Sequence, residues 1–144
     1  MGKINWMRVL IGGLIAGVVG NVLWFAGWAL FIRPSLSAAL LALGRPLQEA
    51  ASIDVVLVVL GFVVMFLVIW LYAAIRPRYG AGPGTAALTG VAAGLLFNVF
   101  PDLGWGLTLR LIPGRVWAAD AISGFIAIVI ATLLGAWVYK EQAP

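Results

Sequence analysis

Apolar residues occupy four long stretches of this chain, and only short polar segments separate them. A helix needs about 20 consecutive apolar residues to cross the hydrocarbon core of a bilayer, and each stretch meets that length. The connections between them are too short to hold a soluble domain, so residues 1–144 are expected to form one membrane domain. The predicted spans are Met7 to Phe31, Asp54 to Ile75, Thr85 to Leu111 and Ala121 to Tyr139.

The first and third stretches contain the same string, G-x-x-x-G-x-x-x-N-x-x-x-x-x-G-W, and the second and fourth both end in W-x-Y. This pattern predicts an all-α bundle of four transmembrane helices, made of two parallel two-helix repeats that cover residues 1–79 and 80–144. The matched positions of the string are Gly13, Gly17, Asn21, Gly27 and Trp28 in the first copy, and Gly90, Gly94, Asn98, Gly104 and Trp105 in the second.

The first repeat carries an insertion between its two helices. Pro34 suits the first position of a helix and Gly44 is a stop signal, so the insertion predicts a short helix lying in the membrane interface. Ser52 and Asp120 are predicted to cap the second and fourth spans. A turn over residues 76–84 is predicted to join the repeats.

Glycines form a stripe along each of the two repeated helices. In lipid no hydrophobic force draws helices together, and small residues allow the close backbone contact that dispersion requires. We therefore predict that the first and third helices cross closely along these stripes. The alternative is that the glycines keep a pore or a ligand groove open. The stripes comprise Gly13, Gly17, Gly20 and Gly27 in the first helix, and Gly90, Gly94 and Gly104 in the third.

Asn21 and Asn98 fall near the middle of their predicted spans. An unpaired amide in lipid costs several kcal/mol, so each side chain needs a partner. We predict that the two residues form a buried polar pair, and that their mutual hydrogen bonds contribute about 1 kcal/mol or less. The alternative is a site for a polar ligand or an ion, because transporters place substrates where equivalent residues of two repeats converge.

Asp102 has no acidic counterpart in the first repeat. A carboxylate within a span is a candidate ion or proton site, here with Arg110 or Arg33 as the predicted partner. The alternative is a solvated or paired acid at the membrane boundary. Arginines at the helix ends are expected to contact lipid phosphate, or to recognise an anionic lipid or a polyprenyl phosphate. These arginines are Arg33, Arg45, Arg110 and Arg115.

Composition agrees with a membrane protein, since 64% of the residues are hydrophobic and 10% are charged, against roughly 25% charged in soluble domains. The chain has no cysteine and no histidine. Disulfides, zinc sites of the usual ligands and imidazole catalysis are therefore excluded, and we expect no metal and no cofactor. No basic run is dense enough to predict binding of nucleic acid.

Basic residues favour one side of the predicted bundle, with Arg76 and Arg78 close together in the turn that joins the repeats. Four of the five acids lie near the opposite side. Positive residues collect on the cytoplasmic side of membranes, so both termini are expected to be cytoplasmic. The acids near the opposite side are Glu49, Asp54, Asp102 and Asp120.

The stretch W-L-Y-A-A-I-R-P-R-Y-G-A-G-P, from Trp70 to Pro83, resembles a family of small bacterial inner-membrane proteins with four predicted transmembrane helices. The similarity covers most of the chain. It implies a multi-pass protein of the bacterial inner membrane, and it carries over no activity and no functional residues.

The large apolar surface and the scarcity of ionisable groups favour a protein that packs against other proteins over an enzyme. We therefore expect a non-catalytic accessory or packing protein, a subunit of a larger respiratory, photosynthetic or transport assembly. Its expected partners are lipid, other membrane subunits or further copies of itself. The alternative is a small channel or transporter that uses polar residues at the repeat interface. An enzyme acting on lipid headgroups would need a convergent acid–base or metal cluster, which the sequence does not show.

Overall fold

The computed structural model describes residues 3–48, 50–110 and 112–141. Glu49 and the predicted end of the third span at Leu111 lie outside these ranges. The regular structure of the described residues is helical throughout. Its elements are α1 (Trp6–Gly27), π1 (Trp28–Ile32), α2 (Arg33–Ala42), α3 (Ala51–Tyr79), α4 (Pro83–Gly94), π2 (Leu95–Val99), α5 (Phe100–Leu109) and α6 (Gly114–Trp137).

Four uninterrupted helical stretches of the described chain are long and apolar enough to cross a bilayer. We number them span 1 (Trp6–Ala42), span 2 (Ala51–Tyr79), span 3 (Pro83–Thr108) and span 4 (Gly114–Trp137). The protein is therefore a multi-pass membrane protein, and the predicted four-helix bundle is confirmed. The internal repeat stays a prediction.

The bundle is built from two helical hairpins that meet through α1 and α6. α1 packs against α3 within the first hairpin, and α4 and α5 pack against α6 within the second. α1 and α6 also contact each other over an extensive surface, while α3 touches α4 and α6 less. The first and last described residues and the loop between α3 and α4 lie at one end of the bundle, which we call the terminal end; the opposite end is the far end.

Backbones come closest where α1 crosses α6. A Cβ atom added to Gly12 would lie 2.6 Å from the carbonyl oxygen of Gly135, and one added to Gly135 would lie 2.5 Å from the carbonyl oxygen of Gly12. The neighbouring core positions are also small, with Ala16 and Ala131 fully buried. Since helices in lipid associate through close packing, this contact is what joins the two hairpins.

Gly13 and Gly17 of the α1 stripe face α3 rather than span 3. Gly13 packs against Phe66, so closely that a Cβ added to Gly13 would lie 3.1 Å from the Phe66 Cα, and Gly17 packs against the ring of Phe62. The absence of side chains at these glycines leaves a groove along α1. Two phenylalanine side chains of the same hairpin occupy it.

The stripe of span 3 has an equivalent partner in span 4. Gly94 faces the ring of Phe125, and Gly90 faces Val129 and Thr132. The prediction that the first and third helices cross along their glycine stripes is therefore wrong. Four stripe glycines instead pack within their own hairpins, where aromatic or branched side chains fill the grooves; they are Gly13, Gly17, Gly90 and Gly94.

The predicted insertion is helical, but it continues span 1 without a break, and its position in the membrane interface stays a prediction. Helical structure runs from α1 through π1 into α2, and a second π segment divides span 3. Pro34 and Pro101 each follow a π segment by two residues. A proline has no N–H to donate and its ring displaces the carbonyl one turn earlier, so the wider π turn accommodates it without ending the helix.

Helices also begin and end farther out than the apolar stretches indicate. α3 continues past Pro77 to Tyr79, so the loop between the repeats is limited to residues 80–82. α3 follows Ala50 without a side-chain cap, and Asp120 lies inside α6. The predicted caps at Ser52 and Asp120 are therefore wrong.

Replacing Gly135 with alanine is expected to destabilise the bundle by about 1–3 kcal/mol, because the new Cβ would press on rigid backbone of α1. Gly104→Ala is the matched control. A Cβ at Gly104 meets no atom within 4 Å, and alanine favours helix by up to about 1 kcal/mol over glycine. Unfolding by sodium dodecyl sulfate in mixed micelles measures both changes. Equal destabilisation by the two substitutions would show that the α1–α6 crossing is not close.

Candidate functional site

A cleft opens between the two hairpins, near the middle of the bundle. Its volume is about 290 Å³. One wall comes from α1 and α3, and the other from π2 and α6. We call it the interhairpin cleft. Asn21 and Asn98 both line it, together with Trp24, Leu57, Leu60, Gly61, Val64, Phe97 and Gly124.

Asn21 joins α1 to α3. Its side-chain Nδ2 donates to the carbonyl oxygen of Gly17 at 2.8 Å, one turn earlier, and to the carbonyl oxygen of Val58 on α3 at 3.3 Å. The amide lies directly on Gly61, where a Cβ would come within 2.7 Å of Asn21 Oδ1. The glycine is what allows the amide to reach the α3 backbone.

Asn98 joins span 3 to α6 in the same manner. Its Nδ2 donates to the backbone carbonyl of Asp120 on α6 at 3.0 Å and to Asp102 Oδ2 at 2.9 Å. It lies on Gly124, which has no side chain to keep the amide away. Asn98 also belongs to π2, so the wider turn sets the direction in which its side chain leaves the helix.

The two amides therefore do not pair with each other. Each uses its N–H groups on the partner helix of its own hairpin, and the prediction of mutual hydrogen bonding between Asn21 and Asn98 is wrong. Both residues are half-buried. Among the described residues, neither Oδ1 atom accepts a hydrogen bond. The cleft thus presents two amide oxygens with free acceptor capacity.

Asp102 lies one helical turn after Asn98 and is half-buried. Its described partner is Asn98, whereas Arg110 donates through Nε to the carbonyl oxygen of Leu107 at 3.4 Å. The predicted ion pair between Asp102 and Arg110 is therefore not formed. Asp120 lies close by on α6, with its Oδ1 buried and without a hydrogen bond from the described residues.

The remaining candidate residues lie away from the cleft or at its edge. Gly27 packs against Ser123 of α6, and Gly104 faces open space. Gly104 is therefore not a packing glycine, although its position in the repeated string predicted one. The far-end arginines are exposed, and their contact with lipid phosphate stays a prediction; they are Arg33, Arg45, Arg110 and Arg115. Gly20, which also lines the cleft, packs against Met65 and Ala131.

The repeated string did not indicate the residues on which the two amides lie. Gly61 and Phe62 in span 2 match Gly124 and Phe125 in span 4, and each pair receives one asparagine and one stripe glycine. A Gly-Phe dipeptide near the centre of both even-numbered spans was the available signal. When spans 2 and 4 are aligned on their W-x-Y motifs instead, Gly61 and Gly124 are out of register by one helical turn.

Hydrogen bonding is the chemistry that this arrangement supplies. The cleft is mostly apolar, and its two amide oxygens can accept hydrogen bonds from a donor on a ligand or on another helix. Asp102 and Asp120 add carboxylate oxygens beyond Asn98 on the side of α5 and α6. No group of three or more acidic, histidine or cysteine side chains comes together in the part of the chain that the structure describes.

Comparison of this chain with protein-family models, curated proteins and solved structures finds no match.

The separate partners of the two amides predict how their substitutions combine. Asn21→Ala and Asn98→Ala should each cost about 0.5–1.5 kcal/mol, and the double variant should cost their sum within about 0.5 kcal/mol. Asn98→Ala and Asp102→Ala remove the same hydrogen bond, so their double variant should cost clearly less than the sum. Both cycles are measured by unfolding in mixed micelles. Strong coupling between Asn21 and Asn98 would restore the mutual pair.

Proposed function

We propose that this protein is a non-catalytic subunit of a larger membrane assembly, and that its interhairpin cleft receives a transmembrane helix of the partner. The observation that carries the proposal is the pair of amides that line an open cleft with no described hydrogen bond to either Oδ1 atom. Gly61 and Gly124, on which the amides rest, lie near the centres of α3 and α6. The acceptors are therefore in the hydrocarbon region.

Lipid chains have no hydrogen-bond donors, so a bilayer alone leaves both acceptors unused. A helix with a serine, threonine, asparagine or glutamine side chain supplies the missing donors, and such bonds between membrane helices contribute about 0.6–2 kcal/mol each. Trp24 and Phe97 at the cleft give a partner helix large apolar surfaces to pack against. These features support docking of a protein helix over simple solvation by lipid.

The shape of the cleft also favours an occupant that arrives from the side. Leu60 and Phe97 stand on its two walls, and about half of each side chain is exposed. α3 contacts α4 near the terminal end, and the cleft lies beyond that contact toward the far end. Side chains of a neighbouring helix can therefore enter the cleft between spans 2 and 3.

A second candidate is a small channel or transporter. The specific observation in its favour is the hydrogen bond that links Asp102 to Asn98, because it joins a carboxylate to one of the amides on the cleft. A proton or cation site at this position would use the carboxylate, with the amide oxygens as further ligands. In this case the occupant of the cleft is a solute, and a partner protein is not needed.

Substituting Leu60 with tryptophan tests the docking proposal. Leu60 is 52% exposed and lines the cleft; Leu67 is 46% exposed, lies on the same helix and faces another groove. Leu60→Trp should reduce the amount of co-purified partner in mild detergent by about tenfold, corresponding to the 1–3 kcal/mol cost of overpacking. Leu67→Trp should leave it unchanged. A photo-crosslinking side chain at Leu57 should attach to that same partner.

Two outcomes would contradict the docking proposal. In one, the chain purifies alone or only with copies of itself, and the Leu57 crosslinker reaches lipid but no protein. In the other, proteoliposomes of the pure protein show proton or cation flux that Asp102→Asn eliminates. The second outcome would favour the channel or transporter.

We further propose that the protein resides in the bacterial inner membrane with both termini cytoplasmic. The basic residues at the terminal end, including Arg76 and Arg78, support this orientation. Since the chain has no cysteine, single cysteines at Ala81 and Gln48 report on the two ends separately, and both positions are exposed. An impermeant thiol reagent applied to intact cells should label the cysteine at position 48 and spare the one at position 81. The opposite labelling would reverse the orientation.

A further inference from the structure

A second pocket, of about 550 Å³, lies at the terminal end of the bundle. It is formed by the last turns of α3 and α6, the loop over residues 80–82 and the first turn of α4. Its walls are mainly aromatic and aliphatic, and Arg76 is its basic side chain; we call it the Arg76 pocket. The interhairpin cleft shares no lining residue with it. The other lining side chains include Tyr72, Ala86, Leu133, Trp137 and Tyr139.

The guanidinium group of Arg76 is largely enclosed but poorly bonded. Its side chain is 17% exposed, and its Nε and Nη1 atoms are buried without a hydrogen bond from the described residues. Glu141 Oε1 lies 3.8 Å from Nη1, which is an ion pair but too long for a hydrogen bond. The Cζ atom lies 5.3 Å from the ring centre of Tyr139, so the cation rests on the aromatic ring.

Buried donors of a charged group are costly when they have no acceptor. Arg76 can therefore still donate hydrogen bonds to an anion, because Glu141 forms an ion pair with it but accepts no hydrogen bond from it. The Glu141 side chain is 34% exposed, so it can turn into solvent when a better acceptor arrives. A group with several charged oxygens would be a stronger acceptor for this guanidinium than the Glu141 carboxylate at 3.8 Å.

The surroundings favour negative charge as well. α4 begins at Pro83, and its first turn lines the pocket, so the positive end of the helix dipole lies beside the guanidinium. Arg8 and Lys140 add positive charge to this end of the bundle, where Glu141 is the described acid. The pocket is thus electropositive, although its walls are largely apolar.

We propose that the Arg76 pocket binds the phosphate group of an anionic phospholipid. Guanidinium N–H groups of Arg76 donate to the phosphate oxygens, and the Glu141 side chain turns into solvent. The acyl chains lie along Leu133 and Leu134. Trp137, which is 83% exposed, marks the level of the membrane–water boundary where headgroups are found.

Free inorganic phosphate has the same recognised chemistry, but it would gain nothing from the apolar walls. The lipid is therefore the occupant that uses the whole pocket. The proposal is independent of the interhairpin cleft and of any partner subunit, because no residue of the cleft takes part in it.

The proposal is tested with the purified full-length protein in detergent, by counting bound lipids with native mass spectrometry. Wild type should bind phosphatidylglycerol about tenfold more strongly than phosphatidylcholine, and Arg76→Gln should remove that preference, since hydrogen bonds to a charged group account for factors of about ten or more. Arg78→Gln is the matched control, because Arg78 is exposed on the same helix turn and lines no part of the pocket. It should retain the preference within about twofold.

Glu141→Gln tests the site by a gain of lipid binding, so its result does not depend on whether the Arg76 variant folds. Removing the competing carboxylate should strengthen phosphatidylglycerol binding by about two- to fivefold, as expected for a partly exposed ion pair. A thermal shift with inorganic phosphate alone, equal to that with the lipid, would assign the site to the free ion and overturn the lipid proposal. If Arg76→Gln and Arg78→Gln reduced the preference for phosphatidylglycerol equally, the assignment of the lipid site to Arg76 would be wrong. Weaker phosphatidylglycerol binding by Glu141→Gln would also contradict it.

Discussion

Membrane helices have no hydrophobic reason to associate, so close packing of their surfaces is a main source of their stability. In this protein the backbones come closest where Gly12 of α1 meets Gly135 of α6, with each glycine occupying space that the other's Cβ would need. The remaining architecture depends on this contact. With α1 and α6 together at the centre, α3 and span 3 are left on the outside, and the interhairpin cleft is the space between them.

The sequence predicted the number and approximate positions of the spans, because the thickness of the hydrocarbon core imposes a minimum length on every membrane helix. It did not predict which helices touch. A glycine shows where close approach is allowed, but the partner is decided by the surface that fills the groove. Gly17 is filled by Phe62 and Gly94 by Phe125, and neither phenylalanine stands out within an apolar stretch.

Helix ends were misplaced for a related reason. Every backbone N–H and C=O must be bonded before the chain reaches the hydrocarbon region, so helices begin in the interface, ahead of the apolar residues that reveal a span. α6 therefore starts at Gly114, and Asp120 lies inside it and offers its carbonyl oxygen to Asn98. The apolar residues of span 4 indicate the part that lies in the hydrocarbon core. The helix starts earlier, because its first backbone hydrogen bonds form outside that apolar stretch.

The asparagines show why a buried polar residue can be predicted to matter without its role being predictable. The sequence placed Asn21 and Asn98 at bilayer depth, and pairing them with each other was the simplest way to satisfy both. An amide has a donor end and an acceptor end, however, and among the described residues only the donors are used, on backbone carbonyls of the same hairpin and, for Asn98, also on Asp102 Oδ2. The N–H groups of the two amides therefore stabilise the hairpins, while their oxygens remain able to accept hydrogen bonds. Since each asparagine side chain carries both the donor and the acceptor, a substitution of Asn21 or Asn98 alters the stability of its hairpin and the lining of the cleft together.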